Sequence, residues 1–219
     1  RSWSEMGLER PSLELEFPIG HIAAVSRDGS HLFAVPGNES GLFESLDGGA
    51  SWSPVAGIAD LMGSQIKRIY FSRIDDQDRL IASSQGGAIF CSEDYGVSWY
   101  DITLNIPRGG FAPIAVAEDG TLFAGPANRG VWKRPPGSDG WMTTNLGTHS
   151  IKELWVNPSG RKIYALDETS ILHVSLNGGN SWFDTSISLL SVAVGSEDHL
   201  VGISETSDLS ESPNIVISE

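Results

Sequence analysis

Short apolar runs of two or three residues recur along the chain, each bounded by Gly, Asp, Asn and Ser. One series reads Ile22-Ala23-Ala24, Ile69-Tyr70-Phe71, Ile114-Ala115-Val116 and Leu154-Trp155-Val156. A second follows it: Leu32-Phe33-Ala34, Leu80-Ile81-Ala82, Leu122-Phe123-Ala124 and Ile163-Tyr164-Ala165. A third closes each group with Leu42-Phe43, Ile89-Phe90, Val131-Trp132 and Ile171-Leu172. Runs this short, split by turn residues and lacking any helical period, predict strands and tight turns throughout.

Behind the third series stands an eight-residue pattern. Ser45-Leu46-Asp47-Gly48-Gly49-Ala50-Ser51-Trp52 recurs as Ser92-Glu93-Asp94-Tyr95-Gly96-Val97-Ser98-Trp99 and as Ser175-Leu176-Asn177-Gly178-Gly179-Asn180-Ser181-Trp182. A decayed copy ends at Gly140-Trp141, and the four tryptophans stand 47, 42 and 41 residues apart. The residues after each tryptophan supply a fourth strand. Four short strands in a repeat of about 40–45 residues describe one blade of a propeller. The predicted fold is therefore all-β: a β-propeller of about five four-stranded blades, in a single domain spanning 1–219. Blades are expected at about 20–57, 66–102, 111–146, 150–187, and 190–219 together with 1–8. The fifth draws its first three strands from Val192-Ala193-Val194, Leu200-Val201-Gly202 and Ile215-Val216-Ile217, and its outer strand from the segment near Trp3. Pairing of the two terminal segments would close the ring and remove a sheet edge. The alternative is a part of a larger propeller.

The pattern is the chemistry of a tight hairpin corner. A short carboxylate accepts bonds from the backbone N–H groups of its own turn. Gly49, Gly96 and Gly179 supply the positive φ the turn demands, and a Ser hydroxyl at Ser45, Ser92 and Ser175 adds a local bond. Trp52, Trp99 and Trp182 offer large apolar faces for packing between sheets. Asn177, standing where the other copies carry Asp47 and Asp94, keeps the acceptor oxygen and loses the charge, which suits a structural role. Too few carboxylates converge at each corner to fill the six to eight oxygen positions of calcium.

Composition sharpens this picture mainly by exclusion. The formal net charge of −14 opposes binding to phosphate backbones or anionic membranes, which call for clustered Lys and Arg, so neither a nucleic-acid partner nor membrane insertion is expected. A solvated acidic exterior is the plain reading of that charge. The single cysteine, Cys91, forms no disulfide within the chain. No apolar run approaches the roughly 18 residues of a membrane span. No histidine pair has a helical metal spacing, no glycine-rich phosphate loop opens a helix, and no Ser-His-Asp signature is present. Neither a metal site nor a cofactor is expected.

Ser45–Trp52, Ser92–Trp99 and Ser175–Trp182 resemble the Asp-box, or bacterial-neuraminidase (BNR), repeat, and through it the sialidase-like propeller superfamily. That group includes sialidases, xyloglucan-cleaving hydrolases, sortilin-type receptor domains and photosystem II assembly factors. The resemblance extends over essentially the whole chain. It implies that the repeated corners are structural, lie on the face away from the ligand, and are not catalytic. It also implies export, to an extracellular or periplasmic location.

By that implication the ligand face carries the opposite loops. His21, Glu39, Arg108, Asn128, Arg129, His149, Asp167 and Glu168 are its candidate ligand-binding residues. His173 falls inside a third strand and is expected to be packed. A sialidase site would need three arginines on a carboxylate together with a tyrosine nucleophile, yet Tyr70, Tyr95, Tyr100 and Tyr164 fall in strands or in a corner. Ordinary glycoside hydrolysis needs two opposed carboxylates, and no sequence feature pairs any two among Glu39, Asp60, Asp167, Glu168 and Glu205. The expected function is a non-catalytic module that binds a protein or a glycan. The alternative is a glycoside hydrolase or an inactive remnant of one.

Overall fold

The computed structural model describes residues 19–25, 31–36, 41–55, 58, 65–74, 77–194, 200–204 and 215–218. All regular structure within them, apart from an isolated helical position at Ile58, is strand. The first sheet orders β1 (Ile19–Val25), β2 (Leu32–Pro36), β3 (Phe43–Ser45) and β4 (Ser53–Pro54). The second orders β5 (Ile66–Ile74), β6 (Gln77–Ser84), β7 (Ile89–Ser92) and β8 (Tyr100–Asp101). The third holds β9 (Ile114–Val116), β10 (Leu122–Ala124), β11 (Trp132–Arg134) and β12 (Met142–Thr143). Each is an antiparallel meander, and every apolar run read from the sequence falls in or beside its strand.

The fourth sheet departs from expectation. It runs β13 (Ile151–Val156), β14 (Ile163–Asp167), β15 (Ile171–Ser175), β16 (Phe183–Val194), β17 (Leu200–Ser204) and β18 (Ile215–Ser218) in one six-stranded order. Two separate strands were expected on either side of residues 187–190, the outer edge of one blade and the inner edge of the next. Instead β16 is continuous, pairing with β15 through Val174↔Phe183 and with β17 through Val194↔Leu200. No Gly or Pro lies between Phe183 and Val194 to break it. The segment 1–8, assigned above to the closing strand, lies outside the described residues.

The core lies between successive sheets. Along β6, Leu80 and Ala82 pack toward the first sheet while Ile81 packs toward the third. Along β10, Leu122 and Ala124 face the second sheet and Phe123 faces the fourth. On β14, Ile163 and Ala165 join the third-sheet interface, and Tyr164 and Leu166 join a cluster with Leu172, Val174 and Leu189. Second strands buried on both faces read as unbroken apolar runs, because successive side chains leave a strand on opposite sides. The first strands β1, β5, β9 and β13 lie against one another in turn, so the sheets share a common inner side.

The repeated corners link third to fourth strands and are satisfied locally. Ser45 Oγ donates to Asp47 Oδ1 (2.7 Å) and accepts from Gly49 N (2.8 Å). Asp47 in turn accepts from Ser51 N (2.8 Å) and Ser51 Oγ (2.6 Å). Ser92, Asp94, Gly96 and Ser98 reproduce these contacts at 2.8, 2.8, 2.8 and 2.5 Å. At the third copy Asn177 Oδ1 accepts from Ser181 N (2.9 Å), and Asn177 Nδ2 donates to Ser181 Oγ (2.8 Å), so that one bond runs in reverse. Gly49, Gly96 and Gly179 have φ of +96°, +89° and +87°, a region that β-carbons disfavour. These bonds hold the Asp47 carboxyl at about 2, chiefly through Ser51, and hold Asp94 low through Ser98 in the same way.

The tryptophans are not equivalent. Trp99 is buried at 8% exposure, packs with the first sheet's Val55 and Phe33, and donates to Gly96 O at 3.0 Å. Trp52 makes the matching bond to Gly49 O at 3.2 Å but is half-buried, as is Trp182. The decayed corner of the third sheet carries Pro136 where the other copies have Asp or Asn, and Asn105 anchors its tryptophan from a distance. Asn105 Oδ1 accepts from Trp141 N at 2.8 Å, Asn105 Nδ2 donates to Trp141 O at 2.9 Å, and Trp141 Nε1 donates to Ile102 O at 2.8 Å.

Candidate functional site

At the end of the sheets opposite the corners, turns after the second strands meet the connections that lead into first strands. The turn 126–130 leans on 147–150: Gly130 N donates to His149 O at 2.9 Å, and Asn128 N donates to Ser150 Oγ at 3.1 Å. Ser150 Oγ donates back to Asn128 Oδ1 at 2.8 Å. Asn128 sits at φ +56°, a backbone that Asn tolerates better than most residues. A β-carbon on Gly130 would collide with Gly147 O, and one on Gly87 would lie 2.5 Å from Gly110 O. The equivalent turns of the second and third sheets thus both press on a neighbouring connection, and glycine permits the approach. Glu168 N donates to Ser150 O at 2.9 Å, which draws the turn 167–170 into the same patch.

Of the predicted residues, Asn128, Arg129, His149, Asp167 and Glu168 therefore come together. Asn128, Arg129 and Glu168 are exposed and His149 is half-buried. Arg108 is exposed and pairs with Asp101 at 2.6 Å. His21 lies on β1 opposite Val35. Glu39, Asp60 and Glu205 lie outside the described residues.

Beneath this patch is a polar cluster built on the buried Asp167 and His173, with the exposed Asp184 and the half-exposed His149 at its edges. His173, in the middle of β15, is fully buried, as its strand position predicted, yet both its ring nitrogens face carboxylates. Nε2 lies 3.0 Å from Asp167 Oδ2 and Nδ1 lies 2.6 Å from Asp184 Oδ1. His149 Nδ1 approaches the same Asp167 Oδ2 at 3.3 Å, and the two imidazoles are 4.3 Å apart at 54°. Asp167, at the end of β14, uses its other oxygen to cap its own turn. Oδ1 accepts from Thr169 N (2.9 Å), Thr169 Oγ1 (2.7 Å) and Ile171 N (2.9 Å), a short acidic side chain bonding the backbone just ahead of it. Burial pushes the Asp167 carboxyl up, but the bonds from His173, Thr169 and the turn outweigh it and bring it to about 2.

Sequence reasoning found Asp167 and His149 but missed Asp184, and gave His173 no polar role. The pairing registers Ala165↔His173 and His173↔Asp184 bring these groups together. The one signal available beforehand was a histidine inside an otherwise apolar buried run.

The hydrolase requirement meets a carboxylate already engaged. Asp167 is held ionised by His173 and by its own turn, so it is not a proton donor near neutrality. Tyr70, the tyrosine on an inner strand, accepts from Ile114 N at 3.1 Å, and burial raises its hydroxyl further from ionisation.

No family model matches the sequence, and no curated protein sequence matches it. Solved structures do. The GH74 xyloglucanase from Xanthomonas campestris superposes with a TM-score of 0.67 at 20% identity, covering 85% of this chain and 35% of that one. YCF48 bound to D1 peptide gives 0.62 at 15% identity, covering 84% and 60%. The GH74 enzyme of Niastella koreensis gives 0.62 at 19% identity, covering 84% and 34%. The chain thus spans less than two thirds of each of these proteins. At such identities the likeness shows the fold, an all-β arrangement of antiparallel sheets of the propeller kind.

Proposed function

We propose that the chain is a non-catalytic propeller module of the Asp-box type that binds a protein segment or a glycan on the end opposite its corners. The observation that carries this reading is the convergence of three short, mutually bonded turns that expose Asn128, Arg129, His149 and Glu168 side by side. A planar guanidinium, an amide and a carboxylate on rigid turns suit the amides of an extended peptide or the hydroxyls of a sugar. YCF48 was solved with a D1 peptide and the Xanthomonas campestris protein is a xyloglucanase; these supply the two ligand classes to test. About five blades with terminal closure, and an extracellular or periplasmic location, belong to the same proposal.

Likeness to the xyloglucanase favours a second reading, a glycoside hydrolase or its inactive remnant. Against it stands the engagement of Asp167 by its own turn. Calorimetric titration against peptide panels and xyloglucan oligosaccharides separates the two. Binding without turnover, weakened about tenfold or more by a double Arg129→Ala, Glu168→Ala change, supports the module. Release of reducing sugar that Glu168→Gln abolishes would establish the hydrolase instead.

A further inference from the structure

We propose that His149, Asp167 and His173 bind a divalent transition-metal ion, with zinc as the reference occupant. One donor atom from each of the three residues lies within 4.8 Å of the other two. Asp167 Oδ2 stands 3.3 Å from His149 Nδ1 and 3.0 Å from His173 Nε2. Zinc bonds of about 2.0–2.1 Å in a tetrahedron set ligand atoms roughly 3.3–3.4 Å apart. These two edges therefore need adjustments of a few tenths of an ångström at most, and the half-exposed His149 ring is free to make the larger closure toward His173.

The surroundings are organised as metal sites require. Three bonds to Oδ1 fix the Asp167 carboxylate and leave Oδ2 as a single aimed donor. Asp184 holds Nδ1 of the fully buried His173 at 2.6 Å. This is the carboxylate–histidine arrangement that sets the tautomer of a ligating imidazole, with the far nitrogen donating and Nε2 turned to the metal. Nε2 ligates as an unprotonated nitrogen, so any proton between it and Asp167 leaves to solvent as the ion enters. The His149 side chain is 41% exposed, which provides an entry from the loop side and leaves a fourth position to water. Two imidazoles and one carboxylate select zinc, cobalt or iron over calcium or magnesium.

The test is titration of the chelator-treated 219-residue chain with Zn²⁺ by calorimetry, alongside the visible spectrum of its Co²⁺ form. The expected result is one Zn²⁺ per chain, a Co²⁺ spectrum with the intensity of a four-coordinate site, and no competition from Ca²⁺. His149→Ala, at a half-exposed position, should retain the fold and weaken Zn²⁺ by more than the about 10–100-fold expected for Asp184→Asn. Asp47→Asn, at a distant corner, should leave the affinity unchanged. Equal Zn²⁺ affinity in the parent and His149→Ala, or a Co²⁺ spectrum like that of the aqueous ion, would overturn the proposal and leave a hydrogen-bonded network alone. If Asp184→Asn fails to fold, the His149→Ala comparison decides.

Discussion

The two ends of the fourth sheet satisfy their polar groups in opposite ways. At one end, Ser175, Asn177, Gly179 and Ser181 satisfy one another within a few residues, and the first two sheets repeat the device. At the other, Asp167, His173, His149 and Asp184 meet across separations of 6 to 18 residues, with no counterpart in the repeat pattern. A corner assembled locally can be copied from blade to blade and tolerates Asp or Asn. A cluster assembled from three strands and a connection depends on each member, and a device of that kind distinguishes one blade from the others.

The comparison is sharpened first at the corner tryptophans. Trp99→Ala should cost about 3–5 kcal/mol, since it empties a buried aromatic site between two sheets. Trp52→Ala should cost clearly less because that ring is half-buried. Equal losses in urea denaturation would show that the corners are energetically interchangeable. Asp167→Asn should cost about 1.5–3 kcal/mol through its charge-assisted bonds, whereas Asp47→Asn should keep the corner bonds as the natural Asn177 does and cost less, losing only what the charge adds. Asn105→Ala should cost about 1–3 kcal/mol by stranding the N–H and C=O of Trp141. An unchanged denaturation midpoint would show that the third corner needs no anchor.

The smallest effect is one of pH. The Asp47 carboxyl lies at about 2 in the fold against an ordinary 3.8, and Asp94 is lowered in the same direction. A depressed carboxyl stabilises fully above its unfolded value and loses that contribution as pH falls through its folded value. Thermal stability should therefore decline between about pH 4 and pH 2. Asp47→Asn combined with Asp94→Asn should flatten that decline, because an uncharged Asn would then stand at the same position in all three corners. A decline of the same slope in the double variant would assign the acid sensitivity to other carboxylates.

The sequence determined by itself what arises within a few residues: the strands, the corner turns with their Ser, Asp and Gly partners, and the two-faced burial of the second strands, written as unbroken apolar runs. Tertiary structure alone decided the rest. It placed Asn105 under Trp141, it let β16 run on into the next set of strands, and it set the register that stands Asp184 beside His173 and Asp167 between two imidazoles. Local hydrogen bonds leave a periodic trace because the same short loop must close in the same way each time. Contacts between strands depend on register and twist, and a single residue of slip would carry His173 to the opposite face.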